Sequence, residues 1–252
     1  MQSVGMLLCD GHPKWDDFPH MAAVFVDVPV VVYRACDGVL PDLDAHDAFL
    51  VSGSSHSVHG AAPWHGAVRA FLRSIARAPH KRAVGLCYGA QAIALALGGA
   101  VGPQPDGVFR FGIEEVEVNR TAVVRHPSLT PLLTTTAPLR LGTCHGEQAT
   151  ALPVGATTVA ASSVTPHEMF VVGTHANLLG VQCHPEVATA TLAARVAPAL
   201  VDRGALTTTR AAEDTAALNA EAGDGDVVAW AVRAFLHLPQ RSPSQSRVSP
   251  SR

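Results

Sequence analysis

No apolar run in this 252-residue chain approaches the roughly 20 residues needed to cross a bilayer, although 48% of its residues are hydrophobic. That content is therefore expected to fill a buried core, and no membrane partner is expected. Charge of one sign is also missing. A formal net charge of −3 leaves no electrostatic footprint for nucleic acid or an anionic lipid surface. The opening Met1-Gln2-Ser3-Val4-Gly5 lacks a charged start followed by an apolar signal core, which points to a cytoplasmic location. The five cysteines (Cys9, Cys36, Cys87, Cys144 and Cys183) are odd in number and widely spaced. They suggest neither a disulfide framework nor a zinc knuckle, and a reducing cytosol suits them. No Asp/Glu/His group has ligand spacing along the chain, and thirteen histidines make chance neighbours common. Neither a metal nor a cofactor is expected. There is no internal repeat.

What is present reads as alternating strands and helices. The length suits one α/β domain or two small ones. Short apolar runs at Val4–Cys9, Val28–Tyr33, Ala48–Val51 and Ala83–Leu86 predict buried parallel strands. Pro63–Ala78 carries Trp64, Val68, Phe71, Leu72 and Ile75 at helical spacing, with proline placed for a first turn. This is βαβ order, so the predicted core is a doubly wound, mostly parallel sheet flanked by helices. From Phe111 to Val181 the pattern becomes strand after strand: Ile113–Val118, Leu139–Thr143, Thr157–Ala161, Met169–Val172 and Leu178–Val181. Helical patterns follow at Ala188–Val201 and Arg210–Glu221. Asp226 is placed to cap a last helix over Val227–Leu238. The apolar face of that helix either docks a partner or packs on its own domain, and packing is the more common use. Residues 240–252 are rich in Ser, Arg and Pro and read as a disordered tail.

Two segments carry chemistry. In Ala83-Val84-Gly85-Leu86-Cys87-Tyr88-Gly89-Ala90-Gln91, an apolar strand meets a helical pattern through Gly-x-Cys-x-Gly. This is the cysteine form of a nucleophile elbow. Glycines flank the thiol because a Cβ would crowd so tight a turn, and the helix start favours thiolate. A buried structural cysteine is the plainer alternative. In Leu178-Leu179-Gly180-Val181-Gln182-Cys183-His184-Pro185-Glu186, another strand delivers His184, with Glu186 two residues on. A thiol needs a base, and the base needs a partner that fixes its tautomer and offsets its charge. Pro185 stiffens the pair.

Together these segments resemble the class I glutamine amidotransferase signature. Three more stretches support the resemblance. Asp47-Ala48-Phe49-Leu50-Val51-Ser52-Gly53-Ser54-Ser55-His56 is similar to the family's oxyanion strand DGFVISGSxH. Cys144-His145-Gly146-Glu147-Gln148 with Leu152-Pro153-Val154-Gly155-Ala156 is similar to HGDxVxxLPxGA. Thr165-Pro166-His167-Glu168-Met169-Phe170 is similar to TPxEMF. The match is closest to stand-alone members related to the amidotransferase domain of GMP synthase, including plant-type γ-glutamyl peptidases. It runs from about Asp47 to Glu186. Ala90, Glu147 and Cys183 depart from common family residues and bear on pocket shape rather than on the triad.

The resemblance implies a flavodoxin-like fold with a small antiparallel flap and a helical C-terminal extension. It divides the chain into a catalytic domain over 1–205, a helical extension over 206–239 packing on it, and the tail. It also implies a catalytic triad of Cys87, His184 and Glu186. The Tyr88 N–H and an N–H from Gly53 or Ser54 are the expected oxyanion donors, with Gln91 and His145 expected to hold the glutamyl substrate. The expected activity is hydrolysis of a γ-glutamyl amide or peptide bond in a small-molecule substrate through a thioester. The alternative is a glutaminase subunit passing ammonia to a separate synthase partner, since the chain has no Ser-Gly-Gly-Val-Asp-Ser pyrophosphatase loop. A non-catalytic binding module is the third reading.

Overall fold

The computed structural model describes residues 3–240. Its N-terminal part runs β1 (Val4–Leu7), α1 (Phe18–Val26), β2 (Val30–Tyr33), β3 (Ala48–Val51), α2 (Pro63–Arg77), β4 (Arg82–Leu86) and α3 (Tyr88–Ala96). The middle holds β5 (Ala100–Pro103), β6 (Arg110–Val118), α4 (Arg120–Val124), β7 (Leu139–His145), β8 (Glu147–Ala151), β9 (Thr157–Ser162), β10 (Met169–Val172) and β11 (Leu178–Val181). Helices α5 (Thr189–Asp202), α6 (Thr208–Ala220) and α7 (Gly225–Phe235) close the chain.

A nine-stranded sheet has the order β2-β1-β3-β4-β11-β10-β9-β6-β7. Its first five strands run parallel, and from β11 onward each neighbour is antiparallel. β5 and β8 make a separate antiparallel pair, the expected flap. Every residue of β1, β3 and β11 is buried, as a strand covered on both faces requires. Alternate residues feed opposite faces. Met6, Leu50 and Val84 join Phe25, Leu200 and Phe235 on one side, while Leu7, Phe49 and Ala83 join Leu72, Ile75 and Ile93 on the other. The fold is therefore the expected α/β architecture, with a mixed sheet whose parallel half carries the strand–helix crossovers.

Three details differ from the sequence expectation. Helix α1 was not anticipated. Residue Asp224, not Asp226, stands at the N-cap of α7, and its carboxylate accepts from the Arg140 N–H at 2.8 Å instead of capping the helix. Asp226 lies in the first turn, where its charge suits the helix dipole. Third, β1 and β2 are shorter than predicted. Helix α7 buries Val228, Ala231, Val232 and Phe235 in the same core as the sheet, which favours the packing reading of its apolar face. Apart from Gln240, the expected tail lies outside the described residues.

Candidate active site

Three adjacent parallel strands end at one place. The pairing sets Val51 of β3 beside Gly85 of β4, and Leu86 of β4 beside Val181 of β11. The residues that follow these strands emerge together at the carboxyl edge of the sheet, where α/β folds bind ligands. Ser52 to Ser54 arrive from β3, Cys87 from β4, and Gln182 to His184 from β11.

Cys87 occupies the turn with φ 47° and ψ −101°, a backbone conformation costly for a residue with a Cβ. Its N–H donates to the Val181 carbonyl at 2.8 Å, which pins the elbow to β11. The flanking glycines are a steric requirement. A Cβ at position 85 would stand 2.3 Å from the Gly89 carbonyl carbon, and one at position 89 would stand 2.5 Å from the Val51 oxygen.

His184 and Glu186 meet as expected. Nδ1 of His184 lies 2.9 Å from Oε1 of Glu186, whose side chain is fully buried. Burial alone pushes the His184 imidazole down. The Glu186 carboxylate and Cys87 outweigh burial, and the net direction is well above the usual histidine range. The His184 N–H donates to the Gly142 carbonyl at 2.9 Å, which fixes the base against β7. Gly53 completes the arrangement. A Cβ there would fall 3.0 Å from Cε1 of His184 and 3.7 Å from the Cys87 Cβ, so position 53 borders both base and nucleophile. Among the described residues, the backbone N–H groups of Gly53, Ser54 and Tyr88 donate to no carbonyl. The Ser54 hydroxyl is committed to the Cys9 carbonyl at 2.7 Å.

Gln91 donates from its side-chain amide to the Glu147 carbonyl at 2.7 Å and to Oε1 of Gln182 at 3.4 Å. Gln182 in turn donates to Sγ of Cys87 at 3.6 Å. Sequence reasoning passed over Gln182. Its side chain is 2% exposed, and only the meeting of β4 and β11 gives it a sulfur to bond. His145 borders the cleft, yet it is buried and its Nδ1 faces Gln104 at 2.9 Å and the Glu147 carbonyl at 3.1 Å. Burial, reinforced by the charge of His184, depresses it to about 3.

The other thiols near the site are poor nucleophiles. Burial pushes Cys144 up to about 11, and burial with the Glu168 charge raises Cys183. Burial also raises Glu168, with Glu114 adding to the shift. Although no ligand spacing is visible along the chain, the fold gathers half-buried Glu114 with buried His145 and Glu168.

The cleft above Cys87 has a volume of about 270 Å³. One wall is polar, from Asp10, Ser55, Gln91 and Glu147; the other is apolar, from Trp15, Phe18, Phe109, Val196 and Leu200. Trp15, which follows β1, lines this cleft. Asp17 is instead tied to Arg195. His56 is exposed and sets its ring edge against Trp64. No helix among the described residues is long and apolar enough to cross a membrane.

The family model for glutamine amidotransferase class-I matches residues 22–197. The chain is 30% identical to γ-glutamyl peptidase 3 of Arabidopsis thaliana over 160 residues, 62% of this chain and 61% of that protein. It is 33% identical to a glutamine-hydrolysing GMP synthase of Phenylobacterium zucineum over 156 residues, 62% of this chain and 27% of that protein. The match thus spans about three-fifths of the length of the peptidase and far less of the synthase. A glutamine amidotransferase structure from Thermotoga maritima superposes with a TM-score of 0.69 at 20% identity, covering 93% of this chain and 96% of that one.

Proposed function

This chain belongs to the class I glutamine amidotransferase family, and from that premise we propose that it hydrolyses the γ-glutamyl amide or peptide bond of a small molecule through a thioester on Cys87. The observation that carries the proposal is the convergence of a strained elbow thiol, the His184–Glu186 pair at 2.9 Å and the Gly53 cradle beside both.

Each step uses a group already placed. His184 takes the Cys87 proton as Sγ attacks the γ-carbonyl carbon. The carbonyl oxygen becomes an oxyanion, which accepts from the Tyr88 N–H and from the Gly53 or Ser54 N–H. One such donor is typically worth about 2.7–4 kcal/mol of transition-state stabilisation. The carbon–nitrogen bond then breaks and His184 protonates the departing amine. In the second half, His184 removes a proton from water, which attacks the thioester. The carbon–sulfur bond breaks, the γ-glutamate is released and the thiol regains its proton. Throughout, Glu186 holds the imidazole in one tautomer and offsets its charge. Gln91 is proposed to meet the glutamyl head directly, and His145 to shape its seat from the wall.

The apolar wall favours a leaving group larger than ammonia. Trp15, Phe18 and Phe109 extend the cleft beyond the space that the amide nitrogen of glutamine needs. Resemblance to a GMP synthase supports the alternative, a glutaminase that hands ammonia to a separate synthase. Intact-protein mass spectrometry separates these readings. Wild type and Cys87→Ala are each incubated with glutamine, glutathione and an electrophilic glutamine analogue. Hydrolysis predicts a covalent adduct on wild type alone, with glutamate released from a γ-glutamyl peptide. An adduct with the analogue and no turnover favours the synthase-dependent glutaminase. No adduct at all removes both and leaves a binding module.

A further inference from the structure

One buried cluster has no part in the thioester chemistry. Glu114 on β6, His145 at the end of β7 and Glu168 just before β10 each present one ligand atom, and all three atoms lie within 4.8 Å of one another. Glu168 is 0% exposed; it neighbours the Glu114 carboxyl and the Thr165 hydroxyl, and no well-aligned hydrogen bond satisfies either of its oxygens. Oε1 of Glu114 and Nε2 of His145 are also buried without partners. The Ser162 hydroxyl donates to Oε2 of Glu114 at 2.7 Å.

The state of His145 follows from its other nitrogen. Nδ1 faces the Glu147 carbonyl at 3.1 Å, and a carbonyl only accepts, so Nδ1 carries the proton. Turning the Gln104 amide by half a revolution brings its unpartnered Oε1 onto the same N–H. Nε2 is then a bare lone pair facing two buried carboxylates. With both carboxyls ionised, Glu114 and Glu168 repel one another in a buried setting, which is strongly unfavourable unless a proton or a cation stands between them. Glu114 and Glu168 lie close enough for one proton to bridge them, and the three ligand atoms are also close enough to share one central ion.

We propose that Glu114, His145 and Glu168 form a three-ligand site for a divalent transition-metal cation, with zinc the ion best suited to it. Imidazole nitrogen and carboxylate oxygen are both zinc ligands, with bonds of about 2.0–2.2 Å. Tetrahedral bonds of that length separate the ligand atoms by roughly 3.5 Å, within the span observed. Calcium needs six to eight oxygens, which this pocket does not offer. The Thr165 hydroxyl, buried beside Glu168, or a water completes the fourth position.

The location gives the ion an electrostatic task. His145 follows Cys144, whose carbonyl lies 3.8 Å from Sγ of Cys87. The Glu168 carbonyl accepts from the Gln182 N–H at 2.8 Å, and Gln182 donates to the same sulfur. Two ionised carboxylates behind Cys87 oppose a thiolate, and a dication there cancels their charge. The ion performs no step of the reaction.

The test is stoichiometric metal binding by the whole chain. Protein stripped with a chelator is titrated with zinc and with cobalt(II), then desalted and assayed by elemental mass spectrometry and visible absorption. The expected result is one zinc per chain and a cobalt spectrum without a thiolate charge-transfer band. Glu168→Gln and, separately, Glu114→Gln should weaken zinc by more than about 100-fold, with folding checked by circular dichroism. Cys87→Ser should bind as wild type does. Wild type that retains no metal overturns the proposal and leaves protons as the counter-charge. Loss of zinc in Cys87→Ser, or a sulfur-to-cobalt band, overturns it by placing the ion on the triad thiol. Metal content is read without turnover, so either result is independent of the γ-glutamyl reading.

Discussion

Glu186 pairs with His184, so its removal has a sign that can be worked out. The native imidazole sits well above its usual range because Glu186 and Cys87 outweigh burial. Its unfolded value is about 6.5. A raised native value means that the bound proton stabilises the fold fully below that pH, and the contribution fades as pH rises through the native value. In Glu186→Gln, burial is left less opposed and the native imidazole falls. The melting temperature of the variant should therefore lag wild type most at pH below about 6.5, and the gap should narrow toward alkaline pH. The alkaline limb of kcat/KM, which reports loss of the imidazolium, should shift to lower pH in the same variant. Melting curves and rate profiles across pH check both; a gap that widens with pH would contradict the assignment. The proposed triad was legible because its members sit at or just beyond strand ends with local signatures. Gln182 and the Glu114–His145–Glu168 cluster were not, because their roles arise from neighbours on other strands.

The elbow between β4 and α3 makes a matched pair of predictions for glycine. Gly85→Ala places a Cβ 2.3 Å from backbone that cannot move aside, so it should cost at least about 1–3 kcal/mol. Gly66 lies on the exposed face of α2, and a Cβ there meets nothing within 4 Å. Gly66→Ala should stabilise by roughly 0.5–1 kcal/mol through helix propensity alone. Urea denaturation of the two variants should move the midpoint in opposite directions. At this scale the sequence spoke through period. Helix α2 was readable because Trp64, Val68, Leu72 and Ile75 recur against polar neighbours. Helix α1 was not, since Phe18–Val26 is apolar almost throughout and shows no polar face to set a period. The flap strands β5 and β8 are short, and Gly102 and Pro103 carry weak strand propensity.

At the scale of the whole molecule, the extension over 206–239 shares its core with the sheet. Leu218, Val228, Val232, Phe235 and Leu236 are all buried with Met6 and Leu200. Burying side chains of this kind contributes about 1.5–3 kcal/mol each, which together is comparable to the whole 5–15 kcal/mol stability of a typical domain. The first residue of α7 also touches the segment of His184 and Glu186: a Cβ at position 225 would lie 2.7 Å from the Pro185 oxygen. A chain ending at Ala205 should therefore lose its cooperative thermal transition and elute as aggregate on gel filtration. A soluble truncated chain that melts as wild type does would show the extension to be dispensable. Domain-scale division was the least legible feature, because alanine-rich helical patterns announce a helix without saying what covers it.

Strand β11 enters the sheet between β4 and β10, although it is the last strand in chain order. During synthesis from the N-terminus, β4 therefore waits with an open edge while the ribosome completes the flap and the antiparallel strands. An unpaired edge of that kind is a template for wrong pairing. The partner that closes it also delivers His184, the proposed base. On the proposed mechanism, a half-made chain carries Cys87 without the group that deprotonates it, and competence arrives in the same event that removes the hazard.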